Sequence, residues 1–86
     1  MDYQVSITEG AKKQLQKLDK QSLLKVNKAI VKLVSCPRPK NSLKLKNREA
    51  WRIRIGDWRV IYEIDDRDKN VRIVFVAPRK DVYKHL

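Results

Sequence analysis

With 86 residues, two Trp, three Tyr and one Phe, the chain can build one small hydrophobic core, and it is read as a single domain spanning 1–86. A single Cys36 excludes an internal disulfide and, with the single His85, a Cys/His metal site. No stretch approaches the ~20 apolar residues of a membrane span, and no secretory leader pattern is present, so a soluble cytoplasmic protein without metal, cofactor or membrane contact is expected. The balance of 21 Lys and Arg against 10 Asp and Glu, a formal +11, sets up a positive field suited to nucleic acid or another polyanion.

Tyr3, Val5 and Ile7 alternate with Gln4 and Ser6, which predicts a short first strand. Thr8 is placed to cap a helix in which Ala11, Leu15 and Leu18 recur at helical spacing, ending near Asp19 and Lys20. A second helix presents Leu23, Val26, Ile30 and Leu33 as its core stripe, supported by Ala29 and Val34, and Pro37 and Pro39 stop it. The two should form an antiparallel helical hairpin. Residues 37–50 carry Arg38, Lys40, Lys44, Lys46 and Arg48 with little periodicity, and read as a basic connection.

The segment from Trp51 to Tyr62 is the most informative in the chain. Gly56-Asp57 suits a two-residue hairpin turn, which sets Ile55 opposite Trp58, Ile53 opposite Val60 and Trp51 opposite Tyr62. These six side chains share one face by the period of two, so Trp51 and Trp58 are packing residues. Arg52, Arg54 and Arg59 then share the other face, with Arg54 directly across from Arg59. Like charges in that relation are destabilising; an anionic partner would explain what a buried core does not.

After a polar turn at 65–70, whose Asp65, Asp66 and Asp68 are turn formers rather than magnesium ligands, Val71, Ile73, Phe75 and Ala77 give one more alternating strand. Pairing Ile64 with Val71 puts Glu63 across from Arg72, a favourable charge pair, and Arg59 across from Val76. Pro78 ends the strand beside the Gly56 turn, which brings Arg79 to the end of the sheet holding Arg54 and Arg59. The expected fold is α+β: an N-terminal strand, a two-helix hairpin, a three-stranded antiparallel meander, about four strands in one sheet, and a short C-terminal helix. One sheet face packs on the helices; the other stays open and cationic.

Several segments together resemble the RelE/ParE toxins of type II toxin–antitoxin systems: the paired helices, Ser35-Cys36-Pro37-Arg38 at the end of the second, the Leu43-Lys44-Leu45-Lys46 stretch, the run from Trp51 to Ile64, and the tail Arg79-Lys80-Asp81-Val82-Tyr83. The resemblance covers essentially the whole chain, and the tail is similar to the mRNA-cleaving RelE branch. It implies a RelE-like fold and a metal-independent endoribonuclease that cuts mRNA in the ribosomal A site by attack of a ribose 2′-hydroxyl on the adjacent phosphate. It also implies a cognate acidic RelB-like antitoxin. Arg52, Arg54, Arg59, Arg79 and Tyr83 match the family's catalytic positions.

Arginine suits stabilisation of charge building on phosphate oxygens, since its planar guanidinium binds them bidentately and stays protonated. Where the best-known member has lysines, this chain has Arg52 and Arg54, which cannot accept a proton, so a general-base role does not transfer to them. Tyr83 can stack on a base or take the 2′-hydroxyl proton, and His85, with a reference pKa of ~6.5, is a second candidate for proton transfer. Lys40, Lys44, Lys46 and Arg48 are assigned to backbone phosphates of mRNA or ribosomal RNA. Two other functions fit the charge: a noncatalytic, ParE-like gyrase inhibitor and an RNA-binding module without catalysis.

Overall fold

The computed structural model describes residues 2–46 and 48–78. Chain order is β1 (Gln4–Ile7), α1 (Glu9–Gln16), α2 (Lys20–Lys32), β2 (Ser42–Lys44), β3 (Trp51–Ile55), β4 (Trp58–Asp65) and β5 (Asn70–Pro78). The sheet has five strands in the order β1-β5-β4-β3-β2. The anticipated C-terminal helix falls on residues outside those described.

Both helices start on side-chain caps. Thr8 Oγ1 accepts from the Ala11 N–H at 3.2 Å and Asp19 Oδ2 from the Ser22 N–H at 3.2 Å, each relieving a donor that the first turn leaves without an intrahelical partner. The first helix therefore stops earlier than expected, because Asp19 opens the second. Ala11, Leu15 and Leu18 join Val26, Ile30 and Leu33 in one buried cluster with Ile53, Val60, Tyr62, Val71, Ile73 and Val76. That cluster holds the two helices against the same face of the sheet.

The β3–β4 hairpin has the register its sequence prescribes, Trp51 to Tyr62, Ile53 to Val60, Arg54 to Arg59 and Ile55 to Trp58. Its turn has φ 59° at Gly56 and no positive φ at Asp57, the pattern of a type II′ turn, in which only the first position requires glycine.

Two features differ from the sequence reading, and one completes it. The basic connection contains β2, whose Ser42, Leu43 and Lys44 pair antiparallel with Ile53, Arg52 and Trp51, making five strands rather than four. Three residues are too few to show a period. The sequence reading assigned β1 no neighbour; it pairs parallel with β5 through Val5–Val71 and Ile7–Ile73.

The other difference is a register shift between Ile61 and Tyr62 against β5. Ile64 faces Val71 and Glu63 faces Arg72 as anticipated, but beyond the shift Val60 faces Val76, and Arg59 faces Ala77 rather than Val76. An extra residue in one strand reverses which side chains point inward, so Val76 enters the main core while Phe75 and Ala77 go to the opposite face. β1 has ended by this level, and Gln14 Oε1 accepts from the Val76 N–H at 2.7 Å, satisfying a strand donor from the helix side.

Candidate active site

The face turned away from the helices is not simply open and cationic. Ala50, Ile61 and Ala77 are buried there, with Leu45, Val74 and Phe75 packed against them. This second small core supplies an apolar floor, and the hairpin arginines are set around it. Arg52 lies across from Ile61, Arg54 from Arg59, and Arg59 lies between Arg54 and Ala77 of β5. The sequence reading missed this floor. Its signal was the unbroken apolar run from Ile73 to Ala77, which supplies side chains to both faces of one strand.

The three arginines differ in exposure. Arg54 is exposed, Arg52 half-buried, and Arg59 only 2% exposed, a burial the alternating pattern does not foretell. Nη1 of Arg59 donates to the Trp58 carbonyl at 3.1 Å, fixing the guanidinium against its own strand. A cation held in one orientation over apolar surroundings interacts with an incoming anion more strongly than one in bulk water. Ion pairs form at Glu9–Lys12, Arg38–Asp66, Lys44–Glu49 and Glu63–Arg72. The last of these is the cross-strand pair expected from the register, at 3.3 Å.

Arg79, Tyr83 and His85 lie outside the described residues, so the arrangement of the arginines is seen for Arg52, Arg54 and Arg59. The basic connection is divided. Lys44, Lys46 and Arg48 line a shallow hollow of about 360 Å³ with Leu45 and Glu49, whereas Lys40 lies before the other end of β2. Arg38 is used structurally. It holds Asp66 in a bidentate pair, Nη1 to Oδ1 at 3.2 Å and Nη2 to Oδ2 at 2.8 Å, and its guanidinium lies 5.2 Å from the centre of the Trp51 ring. The Tyr3 hydroxyl donates to the same Asp66 Oδ1 at 2.6 Å. Together Arg38 and Tyr3 pull the Asp66 carboxyl down to about 2.

Tyr62 anchors the same segment from below. Its hydroxyl donates to the Pro37 carbonyl at 2.7 Å, and burial pushes the phenol up to about 12, so it stays a neutral donor. The sharp exit from α2 is thus pinned both to the core and to the β4–β5 turn. That pinning sets where β2 begins and so aligns the edge of the arginine face.

The profile of the family described as ParE toxin of type II toxin-antitoxin system, parDE, matches residues 5–83. The chain belongs to this toxin family. The toxin is also similar to solved RelE structures. It shares 32% identity with the chain in the archaeal RelE–RelB complex from Pyrococcus horikoshii OT3, with 92% of this chain and 97% of that one covered and a TM-score of 0.83. For the toxin–antitoxin complex RelBE2 of Mycobacterium tuberculosis the values are 28%, 92%, 100% and 0.82. The isolated Escherichia coli RelE toxin, at 24% identity and a TM-score of 0.79 over 96% of this chain and 93% of that one, shares the fold. No curated protein matches the toxin. The toxin is therefore a member of the RelE/ParE superfamily with a RelE-like fold, and among the described residues no helix is long and apolar enough to cross a membrane.

Proposed function

We propose that this toxin is a metal-independent endoribonuclease of the RelE type that cuts mRNA in the ribosomal A site, acts in the cytoplasm as a single domain over 1–86, and is held in check by an acidic RelB-like antitoxin. The observation that carries the reading is the direct cross-strand pairing of Arg54 with a buried, backbone-anchored Arg59 on an apolar floor. Two guanidinium groups in that relation destabilise a sheet, and a phosphate between them removes the repulsion.

In the reaction the ribose 2′-oxygen attacks the adjacent phosphorus, the bond from phosphorus to the 5′-oxygen breaks, and a 2′,3′-cyclic phosphate and a 5′-hydroxyl result. Charge builds on the non-bridging oxygens, where Arg52, Arg54, Arg59 and Arg79 stabilise it more in the transition state than in the ground state. Arginines cannot accept the 2′-hydroxyl proton, so Tyr83 and His85 are the candidates for moving protons to and from the reacting oxygens. Lys40 and the group Lys44, Lys46 and Arg48 hold flanking phosphates of mRNA or ribosomal RNA.

A second reading is favoured by the family match itself, which carries the ParE description: a noncatalytic gyrase inhibitor. Mapping RNA ends and DNA breaks in cells induced for the toxin separates the two. Cuts within translated mRNA that disappear with Arg59→Ala are expected. DNA breaks with intact transcripts would replace the ribonuclease reading with the gyrase one.

A further inference from the structure

The two ends of β5 are held in the sheet by different means. Residues 70–73 lie between β4 and β1, and the Thr8 N–H closes the β1 ladder by donating to the Ile73 carbonyl at 3.0 Å. Past that point β1 has given way to α1, so residues 75–78 are flanked by β4 on one side and by the helix on the other. The change coincides with the register shift, where Tyr62 faces Ile73, Ile61 faces Phe75, and Val74 is the extra residue. A bulge disrupts the ladder locally, and a strand end just beyond one is a place where a sheet opens first.

Gln14 spans this gap. Its half-buried side chain brings Oε1 to 2.7 Å from the Val76 nitrogen, taking the place of the carbonyl that a longer β1 would have offered. The helix carrying it is itself fixed, by the Thr8 cap and by Ala11 and Leu15 in the main core. One residue beyond Val76 stands Ala77, across from Arg59, and Pro78 faces Trp58. Arg59 lies between Arg54 on β3 and Ala77 on β5, so its 2% exposure depends on the end of β5 staying closed.

We propose that Gln14 is a positioning residue for the arginine site. Its amide holds the end of β5 at Val76, keeps Ala77 against Arg59, and so keeps the Arg59 guanidinium shielded from water and aimed at the phosphate, where a preorganised cation acts most strongly. The inference rests on the ribonuclease reading and deepens it, adding a residue on the helix side of the sheet that acts through the strand and never touches RNA. A role confined to fold stability would lower the melting temperature and leave turnover per folded molecule unchanged.

The test compares full-length wild type with Gln14→Met, which keeps the length of the side chain without the amide, and Gln14→Glu, which keeps an acceptor. Gln14→Ala stands in if Gln14→Met does not fold. Three quantities are read: hydrogen exchange of the Val76 amide against those of Val71 and Ile73, water exchange of the Arg59 side-chain N–H signals by NMR, and kcat and KM for cleavage of mRNA on programmed ribosomes. Gln14→Met is expected to speed Val76 exchange about tenfold relative to the reference amides, the factor of one ordinary hydrogen bond. It should also speed exchange at Arg59 and lower kcat about tenfold with KM within about twofold, and Gln14→Glu should recover most of each. Arg59 signals and kcat that stay at wild-type values in Gln14→Met overturn the proposal, whatever happens to the melting temperature. So does a fall in kcat with Val76 exchange unchanged, or a Gln14→Glu variant that recovers nothing. Wild-type toxin that leaves ribosome-bound mRNA intact would instead refute the ribonuclease reading, while the Val76 and Arg59 signals still decide whether Gln14 positions the arginine.

Discussion

The two faces of the sheet are built from the same strands and solve opposite problems. On the helix side, Ile53, Val60, Tyr62, Val71 and Ile73 are buried in one large cluster with α1 and α2, and the alternating pattern commits every second residue to stability. On the other side, Ala50, Ile61 and Ala77 are the buried apolar residues among those described, and Arg59 is buried among the same strands. The comparison teaches that the second face carries just enough apolar area to fix its arginines in place. Its remaining positions keep charges close together that a face built for stability would separate.

The largest expected effect sits on the second face. Arg59→Ala should lower RNA cleavage on translating ribosomes by about 10²–10³, the usual consequence of removing a preorganised donor to developing charge. Arg59→Lys should recover little, since a point charge does not reproduce a bidentate fork. If cleavage by Arg59→Ala stays within a few-fold of wild type, the division of labour between the faces is wrong.

Next comes a matched pair, Ile53→Ala on the helix side and Ile61→Ala on the arginine side, both 1% exposed in the native protein. Truncating a buried isoleucine commonly costs about 2–5 kcal/mol, with the higher figures where surroundings cannot collapse. Ile53 belongs to the larger cluster and should show the greater loss in urea titrations, while Ile61→Ala should cost less stability and more activity by loosening the floor under the arginines. Equal effects on both observables would erase the distinction.

Tyr62→Phe sharpens the comparison from within the large core. It removes the hydroxyl that donates to the Pro37 carbonyl and should cost about 1 kcal/mol. The phenol is also raised from 10.0 to about 12 by burial, so its contribution is fully present below pH 10 and is lost as pH rises toward 12, where the unfolded tyrosine ionises first. Wild type should therefore lose stability across that window, and Tyr62→Phe should lose less. Identical alkaline limbs would mean another group titrates there.

The smallest effect belongs to Asp66→Asn, at the exposed link between Arg38 and Tyr3. The Asp66 carboxyl is held below its ordinary value by Arg38 first and Tyr3 second, so its contribution is present above pH ~4 and disappears as pH falls through about 2. A slight difference in melting temperature from wild type near neutral pH, vanishing in acid, is expected. A difference that persists in strong acid would point to packing rather than charge.

Much of this arrangement was legible in the residues. The alternation from Trp51 to Tyr62 around Gly56-Asp57 gave the hairpin register residue by residue, and with it the placement of Arg54 across from Arg59. What failed was local for definable reasons. β2 has three residues and one apolar side chain, too little for a period to be seen. The register shift in β5 falls inside Ile73-Val74-Phe75-Val76, where every residue is apolar and the phase of the alternation is invisible. Hence the misplacement of Arg59 against Val76, and the missed second core. The burial of Arg59 depends on what its neighbours on β3 and β5 contribute, which no single-strand pattern encodes.

The parallel pairing of β1 with β5 has a consequence for how the protein comes into being. β5 follows the other four described strands in the chain, yet it lies inside the sheet, with β1 on one side and β4 on the other. Until Asn70–Pro78 has emerged, residues 4–7 have no partner strand, the helices lack Val71, Ile73 and Val76 to close against, and Arg59 has no Ala77 beside it. Contacts that span nearly the whole chain form late and slowly. A polypeptide interrupted short of Asn70–Pro78 therefore has neither a closed core nor the strand that stands beside Arg59.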